Sequence, residues 1–400
     1  MLILVLNGGS TSLRFSLYDT KYNDILARGS GEGIGTEFSY YKYINNKGIT
    51  KKLDLPLSNV NDVLVMLCSD IVDKDLGVIK KLSDIDAIGH RIVHGGEKYT
   101  QATIINDEVI SDIEELSLLA PMHNGKSLSL INECKGLFKN ATNVGVFDTA
   151  FHSTIPIENY LYAIPRDFYE KYRIRKYGFH GISYNYVLNR YCDITSQNKK
   201  NTNIVICHLG GGSSICAIKN GKSFDTTMGL TPLSGMMMAS RCGSIDPSIV
   251  YYALKKMNLS IDELFMILNN DSGYYSISNS KNMQDIVERS LNNDPDAILL
   301  RKMIAKDFKS NLLSMMANLP RIDSIVLTGG IGEKNREQRE MLLSDLGAFG
   351  IRIDNEKNNQ CFNTESIISV TDSKIPIYVV PADEEKEIAS QTSKLLVKRK

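Results

Sequence analysis

Apolar residues along this chain come in short runs broken by glycine and hydroxyl residues. LILVL at 2–6 and the alternating LRFSLYD at 13–19 predict two strands around the turn NGGSTS at 7–12. The pattern returns at 203–219, where NIVICHLGGGSSICAIK predicts a strand, a Gly/Ser turn and a second strand. That second copy continues through Asn220-Gly221, a type I′ hairpin signal, into KSFDTT. Two similar units so far apart imply a duplicated domain rather than a solenoid, whose repeats run to about 20–50 residues.

Elsewhere strand and helix patterns alternate. Strands are expected at 85–93, 143–148, 324–330 and 375–381, and helices near 108–119, 183–193, 295–318, 335–346 and 383–396. Alternation of this kind predicts α/β lobes with mixed sheets. At 400 residues the chain has room for two cores, and no low-complexity linker separates the halves. The expectation is two related lobes with a ligand cleft between them.

Charge and cysteine content narrow the function classes. With 46 basic and 46 acidic residues the formal net charge is zero, which favours neither nucleic acid nor an anionic membrane. The apolar run after Met1 is too short for a signal peptide or a membrane span, so a cytoplasmic protein is expected. Seven scattered cysteines without a CxxC pair read as reduced thiols packed as small hydrophobes. The six histidines include no HExxH or other transition-metal spacing.

The glycine turns carry the first chemical signal. Backbone N–H groups in such a turn converge on an anion with no Cβ in the way, and serine or threonine hydroxyls add donors. A third glycine stretch, TGGIGEKN at 328–335, follows an apolar strand and precedes a helical pattern, where a backbone can approach a nucleotide. Neither a GxGxxG fingerprint nor a GxxxxGK[ST] loop occurs. A phosphoryl-transfer site built on two hairpin loops is the reading left.

LNGGSTSLRFSLYD, GHRIVHGG (89–96), APMHN (120–124), FDTAFHSTIP (147–156), YGFHG (177–181), MMMASRCGSIDP (236–247) and LTGGIGE (327–333), in order along the whole chain, resemble the acetate kinase family. The resemblance implies the fold of the acetate and sugar kinase, Hsp70 and actin superfamily: two RNase H-like lobes with mixed sheets and an active-site cleft between them. It implies an N-terminal lobe, 1–150, completed by the C-terminal helix 383–400, and a C-terminal nucleotide-binding and dimerisation lobe, 151–382. The implied activity is reversible transfer of the γ-phosphoryl of ATP to acetate, with Mg²⁺ (Mn²⁺ as substitute), in a homodimer. Acetate is already ionised at neutral pH, so such a site needs cations more than a general base.

Residue by residue, the resemblance implies Arg91, Asp148, His180 and Arg241 as catalytic groups, with His123 and His208 as secondary candidates. An acyl pocket would be walled by Val93, Met122, Phe179 and Pro232 beside Arg91. Asn7, Ser10, Ser12 and Arg14 would face the phosphoryl groups from the first loop; His208, Gly210, Gly211, Gly212 and Ser213 would do so from the second. Gly329, Gly330, Ile331 and Gly332, with Asn282, Met283 and Gln284, would border the nucleotide. Asn7 and Glu384 would hold the metal, with Asp148 as a further carboxylate.

Several residues depart from the family pattern. Gly211 stands where the second loop usually has asparagine. Ile182 and Tyr184 replace threonine and histidine, and Ser234 and Ser244 replace acidic residues. Asn282-Met283-Gln284 stands where Asp-Phe-Arg usually flanks the adenosine. These differences keep a propionate or other short-chain acyl kinase and a pyrophosphate-using kinase as alternatives; HLGGG also resembles butyrate kinase. A nucleotide-sensing homologue without catalysis is the alternative from another class.

Overall fold

The computed structural model describes residues 1–9, 11–120 and 124–398; Ser10, Met122 and His123 lie outside the described residues. The chain divides into two compact units, Met1–Ala150 with Asp383–Lys400, and Phe151–Ala382.

The first unit is built on strands β1 (Leu2–Gly8), β2 (Ser12–Asp19), β3 (Asp24–Glu32), β4 (Tyr40–Asn45), β5 (Thr50–Asp54), β6 (Ala87–Ile92), β7 (Thr103–Ile104) and β8 (Thr142–Phe147). Their order in one sheet is β5-β4-β3-β2-β1-β6-β8-β7. β1 runs antiparallel to β2, in a register that pairs Asn7 with Arg14, and parallel to β6. A near-continuous apolar β1 suits this central place, since both its faces are covered. Leu4, Leu6, Phe15 and Leu17 pack with Leu64 and Leu67 of the helix Val60–Ile71 on one face. On the other face lies the C-terminal helix Glu384–Val397. A Cβ added at Gly89 in β6 would stand 2.7 Å from Ile388 Cγ2 and Thr392 Oγ1, so glycine lets the helix approach closely there.

The second unit carries β9 (Ile204–Leu209), β10 (Ser213–Lys219), β11 (Lys222–Thr226), β12 (Ser324–Thr328), β13 (Ser366–Ile367) and β14 (Ile377–Val379), in the order β11-β10-β9-β12-β14-β13. Asn220 and Gly221 have φ of 52° and 72°, both left-handed, as a type I′ turn between β10 and β11 requires. Along β9 the side chains alternate between two cores. Val205, Cys207 and Leu209 meet residues of the long helix Pro295–Ala317, while Ile204 and Ile206 meet Val187 and Leu188 of the helix Gly181–Thr195. Asp294 caps the long helix by accepting from the N–H groups of Asp296 and Ala297, with Pro295 in its first turn.

The duplicated motif therefore marks a duplicated topology, β3-β2-β1-β6-β8 in one unit and β11-β10-β9-β12-β14 in the other. Several boundaries differ from the sequence expectation by a few residues, and the one at 324–330 matters most for the site. The strand expected at 324–330 stops at Thr328, because Gly329 turns left-handed at φ 77° and opens a short helix, Gly329–Lys334.

Candidate active site

In the first unit, the ends of β1, β6 and β8 and the start of the C-terminal helix converge on Arg91. The Asp148 Oδ2 accepts from Arg91 Nε at 3.1 Å and from Nη2 at 2.7 Å. Asn7 Oδ1 accepts from Nη1 at 3.0 Å, and Glu384 Oε2 stands 3.5 Å from the same nitrogen. Asn7 Nδ2 donates in turn to Glu384 at 3.0 Å and Glu385 at 2.8 Å. Burial works against the Arg91 charge, yet Asp148 and Glu384 outweigh it and hold the guanidinium firmly protonated. Burial pushes the Asp148 carboxyl up to about 6 against the opposing pull of Arg91, with Glu384 adding to the rise. Glu385 is raised by burial and by its neighbour Glu384.

Three carboxylates thus surround one guanidinium, and Asp148 Oδ1 is buried with no hydrogen-bond partner. Hard, under-compensated oxygens of this kind suit Mg²⁺, which takes one or two carboxylates and completes its shell with water and phosphate oxygens. Glu384 and Asn7 fit that task, although Asn7 here turns its nitrogen, not its oxygen, to the glutamates. Among the described residues no three His, Cys, Asp or Glu side chains gather as a ready-made metal cage. A small recess beside Arg91 is lined by Gly8, Gly9, His90, Lys126 and Ser127.

The first loop is held by its own backbone, Gly9 N–H donating to the Ser12 carbonyl at 2.8 Å. The Arg14 side chain is 64% exposed and 3.6 Å from Glu32, and its charge also acts on Glu385 of the Arg91 cluster. Val93 is buried. His90 and His94 are structural: His90 is hydrogen-bonded to Asn143 and pushed down to about 4 by burial, and His94 Nδ1 accepts from Gly96.

In the second unit the corresponding loop, Gly210–Gly212, lies beside two histidines. The His180 and His208 rings stack with centroids 4.2 Å apart and planes 19° apart. His180 Nδ1 bonds Ser214 Oγ at 2.8 Å, and His208 Nδ1 bonds Ser183 Oγ at 2.8 Å. A Cβ added at Gly212 would stand 3.4 Å from His180 Nε2 and 3.5 Å from Arg241 Nη1, so both nitrogens flank that glycine. Arg241 Nη1 also donates to the Pro232 carbonyl at 3.1 Å. His180 adopts φ 59° at the start of the helix Gly181–Thr195, a left-handed conformation that a non-glycine residue holds only where its surroundings enforce it. His152 supplies part of that enforcement: one ring nitrogen bonds the carbonyl of the buried Phe179 and the other Ser223.

Ser213 serves the loop itself, accepting from Gly210 N–H and donating to the Gly210 carbonyl. Gly211 is exposed, and a Cβ there meets nothing within 4 Å. The Gly329–Gly332 stretch is the first turn of a helix rather than a loop, and Glu333 already accepts from Gly329 N–H at 2.7 Å. Gly330 is exposed and Ile331 half-buried. Of the three residues expected beside the adenosine, Met283 is turned into the hydrophobic core at 6% exposure, because the amphipathic helix Met283–Leu291 buries that position. Asn282 caps that helix by accepting from Gln284 N–H, and Gln284 is exposed.

Sequence reasoning assigned no site role to Ser183, Ser214, His152, Lys126 and Glu385, and named Tyr184 only as a departure from the family pattern. Ser214 sits in the Gly/Ser motif next to Ser213, and strand alternation, which sends neighbours to opposite faces, was the signal that would have separated them. Nothing local marks the others.

Two mixed sheets of one topology, each with a glycine hairpin loop beside cationic and hydrogen-bonding side chains, define the actin, Hsp70 and sugar kinase type of fold. Known proteins agree. Residues 2–390 match the model of the acetokinase family. The acetate kinase of Thermoanaerobacterium thermosaccharolyticum is 44% identical over 398 residues, 99% of each chain. Among solved structures, Porphyromonas gingivalis acetate kinase matches with a TM-score of 0.89 at 36% identity over 99% of both chains. A propionate kinase from Francisella tularensis subsp. tularensis SCHU S4 also matches at 0.89 and 36%, over 98% of both. The chain belongs to the acetokinase family, and it is an enzyme, a kinase.

Proposed function

We propose that the protein transfers the γ-phosphoryl group of ATP to acetate, reversibly, giving acetyl phosphate and ADP by direct in-line displacement. The observation that carries this reading is the Arg91 guanidinium, held by Asp148 and Asn7 among carboxylates, in a chain 44% identical to an acetate kinase. A carboxylate acceptor is already a nucleophile, so the groups required are those that place it and neutralise charge. Arg91 and Arg241 bind and orient the acceptor and the transferring group. His180, aimed at the Gly210–Gly212 loop, donates to phosphoryl oxygen, and the loop backbone holds the donor's phosphates. Mg²⁺, held by Glu384 and Asn7 with Asp148 and Glu385 nearby, would neutralise phosphate charge. Val93, Phe179 and Pro232 form the acyl wall in this reading. Ser12 and Arg14 with Asn7, and Gly329, Gly330, Ile331, Gly332, Asn282 and Gln284, are assigned to the nucleotide side.

The equal match to a solved propionate kinase favours propionate as the second acceptor to try; one methylene is worth only about 1–3 kcal/mol of discrimination. The test is trapping of acyl phosphate as hydroxamate, with acetate or propionate, ATP or pyrophosphate, and Mg²⁺ or chelator. Product with ATP and acetate, lost with chelator, supports the reading. Product with pyrophosphate alone would overturn its nucleotide part.

The same reading carries a homodimer through the second unit and a cytoplasmic location. Among the described residues no helix is long and apolar enough to cross a membrane. Tyr251, Tyr252 and Ile261, each more than 60% exposed in the second unit, are the kind of surface a subunit contact would cover, and light scattering would measure the mass.

A further inference from the structure

Beside the Gly210–Gly212 loop lies a hydrogen-bonded chain that runs inward from His180. Ser214 Oγ is 2.8 Å from His180 Nδ1, and on its far side it is 2.5 Å from the Tyr184 hydroxyl. Tyr184 and Ser214 are both 0% exposed, so water reaches neither.

Each hydroxyl has one proton to give, and that fixes a direction. Among the described residues, the hydrogen bond of the Tyr184 hydroxyl is the one to Ser214 Oγ. Were Ser214 to donate to Tyr184, the phenolic hydrogen would be left without an acceptor in a dry site. The Tyr184 proton therefore goes to Ser214, the Ser214 proton goes to Nδ1 of His180, and Nδ1 is an acceptor. A neutral imidazole that accepts at Nδ1 carries its hydrogen on Nε2. That is the nitrogen flanking Gly212 beside Arg241.

We propose that Tyr184 is a positioning residue for phosphoryl transfer: acting through Ser214, it fixes His180 in the tautomer whose Nε2–H points at the Gly210–Gly212 loop. This deepens the reading of His180 as the phosphoryl contact and rests on it. The cost of losing the relay is a misdirected proton. Without the Tyr184 hydroxyl, Ser214 is free to turn and accept from Nδ1–H, and Nε2 then meets a phosphoryl oxygen lone pair to lone pair.

The decisive experiment is a long-range proton–nitrogen NMR correlation on isotope-labelled histidine in the intact protein, with the His180 signals assigned by their loss in His180→Gln. Wild type should show an unprotonated Nδ1 and a protonated Nε2. A proton on Nδ1 in wild type overturns the proposal, and the readout needs neither Tyr184 nor Ser214 to be changed. Tyr184→Phe should shift His180 toward a mixture of tautomers and lower kcat about tenfold, the loss of one neutral hydrogen bond, with KM values and Tm little changed. Ser214→Ala should do the same. An unchanged kcat with an unchanged tautomer in Tyr184→Phe overturns the role of Tyr184. If wild type makes no acyl phosphate, the assigned reaction fails, while the nitrogen spectrum still decides the tautomer.

Discussion

The two glycine hairpin loops sit at equivalent places in equivalent sheets, yet their surroundings differ in kind. Around the first, Arg91 is enclosed by Asp148, Glu384 and Glu385, with Asn7 bridging them. Around the second, hydroxyls and imidazoles form the network, with Arg241 beside it. Topology copied the loop, and side chains from distant segments made one copy ionic and the other a set of directed donors. Formal charge is dense where a carboxylate and a metal would be handled, and sparse where proton direction matters.

The ionic half should break most severely. Arg91→Ala is expected to lower kcat by about 10²–10³-fold, as for removal of one transition-state donor, and to lower Tm as well, because the buried Asp148 loses its counter-charge. A kcat within a factor of about two would remove Arg91 from the reaction, since one transition-state contact costs more than that.

In the second unit, Met283→Ala separates core from ligand site. Emptying a buried methionine position should cost about 2–5 kcal/mol of stability and leave KM for ATP unchanged. A raised KM at full stability would place Met283 at the nucleotide after all.

A pH measurement sharpens the comparison further. Burial raises the folded pKa of Asp148 to about 6, above the ordinary carboxyl value of 3.8. The folded state therefore binds that proton more tightly than the unfolded state. The contribution is fully present below the unfolded value and is lost as pH rises through about 6. Metal-free wild type should thus lose Tm relative to Asp148→Asn between those limits, and a flat difference would refute the shift. Substitutions confined to the Tyr184–Ser214 pair should show no such slope.

The smallest effect is expected at Gly211. Its Cβ space is open, and its φ is not in the left-handed range, so Gly211→Asn should fold normally. One added side-chain donor should lower KM for ATP by about two- to fivefold. A higher KM would mean that the open loop is needed as it is.

Much of the fold was legible because its signals are local. The alternation in 13–19 and 213–219, the glycine turns and the Asn220-Gly221 hairpin each lie within a few residues, and β2, β10 and their turns follow them. Gly329 misled for the same reason: a glycine after an apolar strand signals a turn, but cannot tell a loop from the first turn of a helix. The resemblance sets Met283 beside the nucleotide, while the helix Met283–Leu291 turns its side chain into the core, a rotation that only packing reveals.

What the sequence determined by itself is the set of elements and the chemical inventory: two Gly/Ser hairpins, a few arginines and carboxylates in strand ends, and histidines beside the turns. What only the tertiary structure decided is pairing. Asp148 reaches Arg91 across 57 residues, Glu384 reaches Asn7 across 377, and Tyr184 reaches Ser214 across 30. Periodicity and turn chemistry act within one element, whereas these contacts depend on strand order and on the faces two elements turn toward each other. The charge state of Asp148 and the direction of the His180 proton belong to that second level, because burial and hydrogen-bond partners exist only once the sheets and helices have packed.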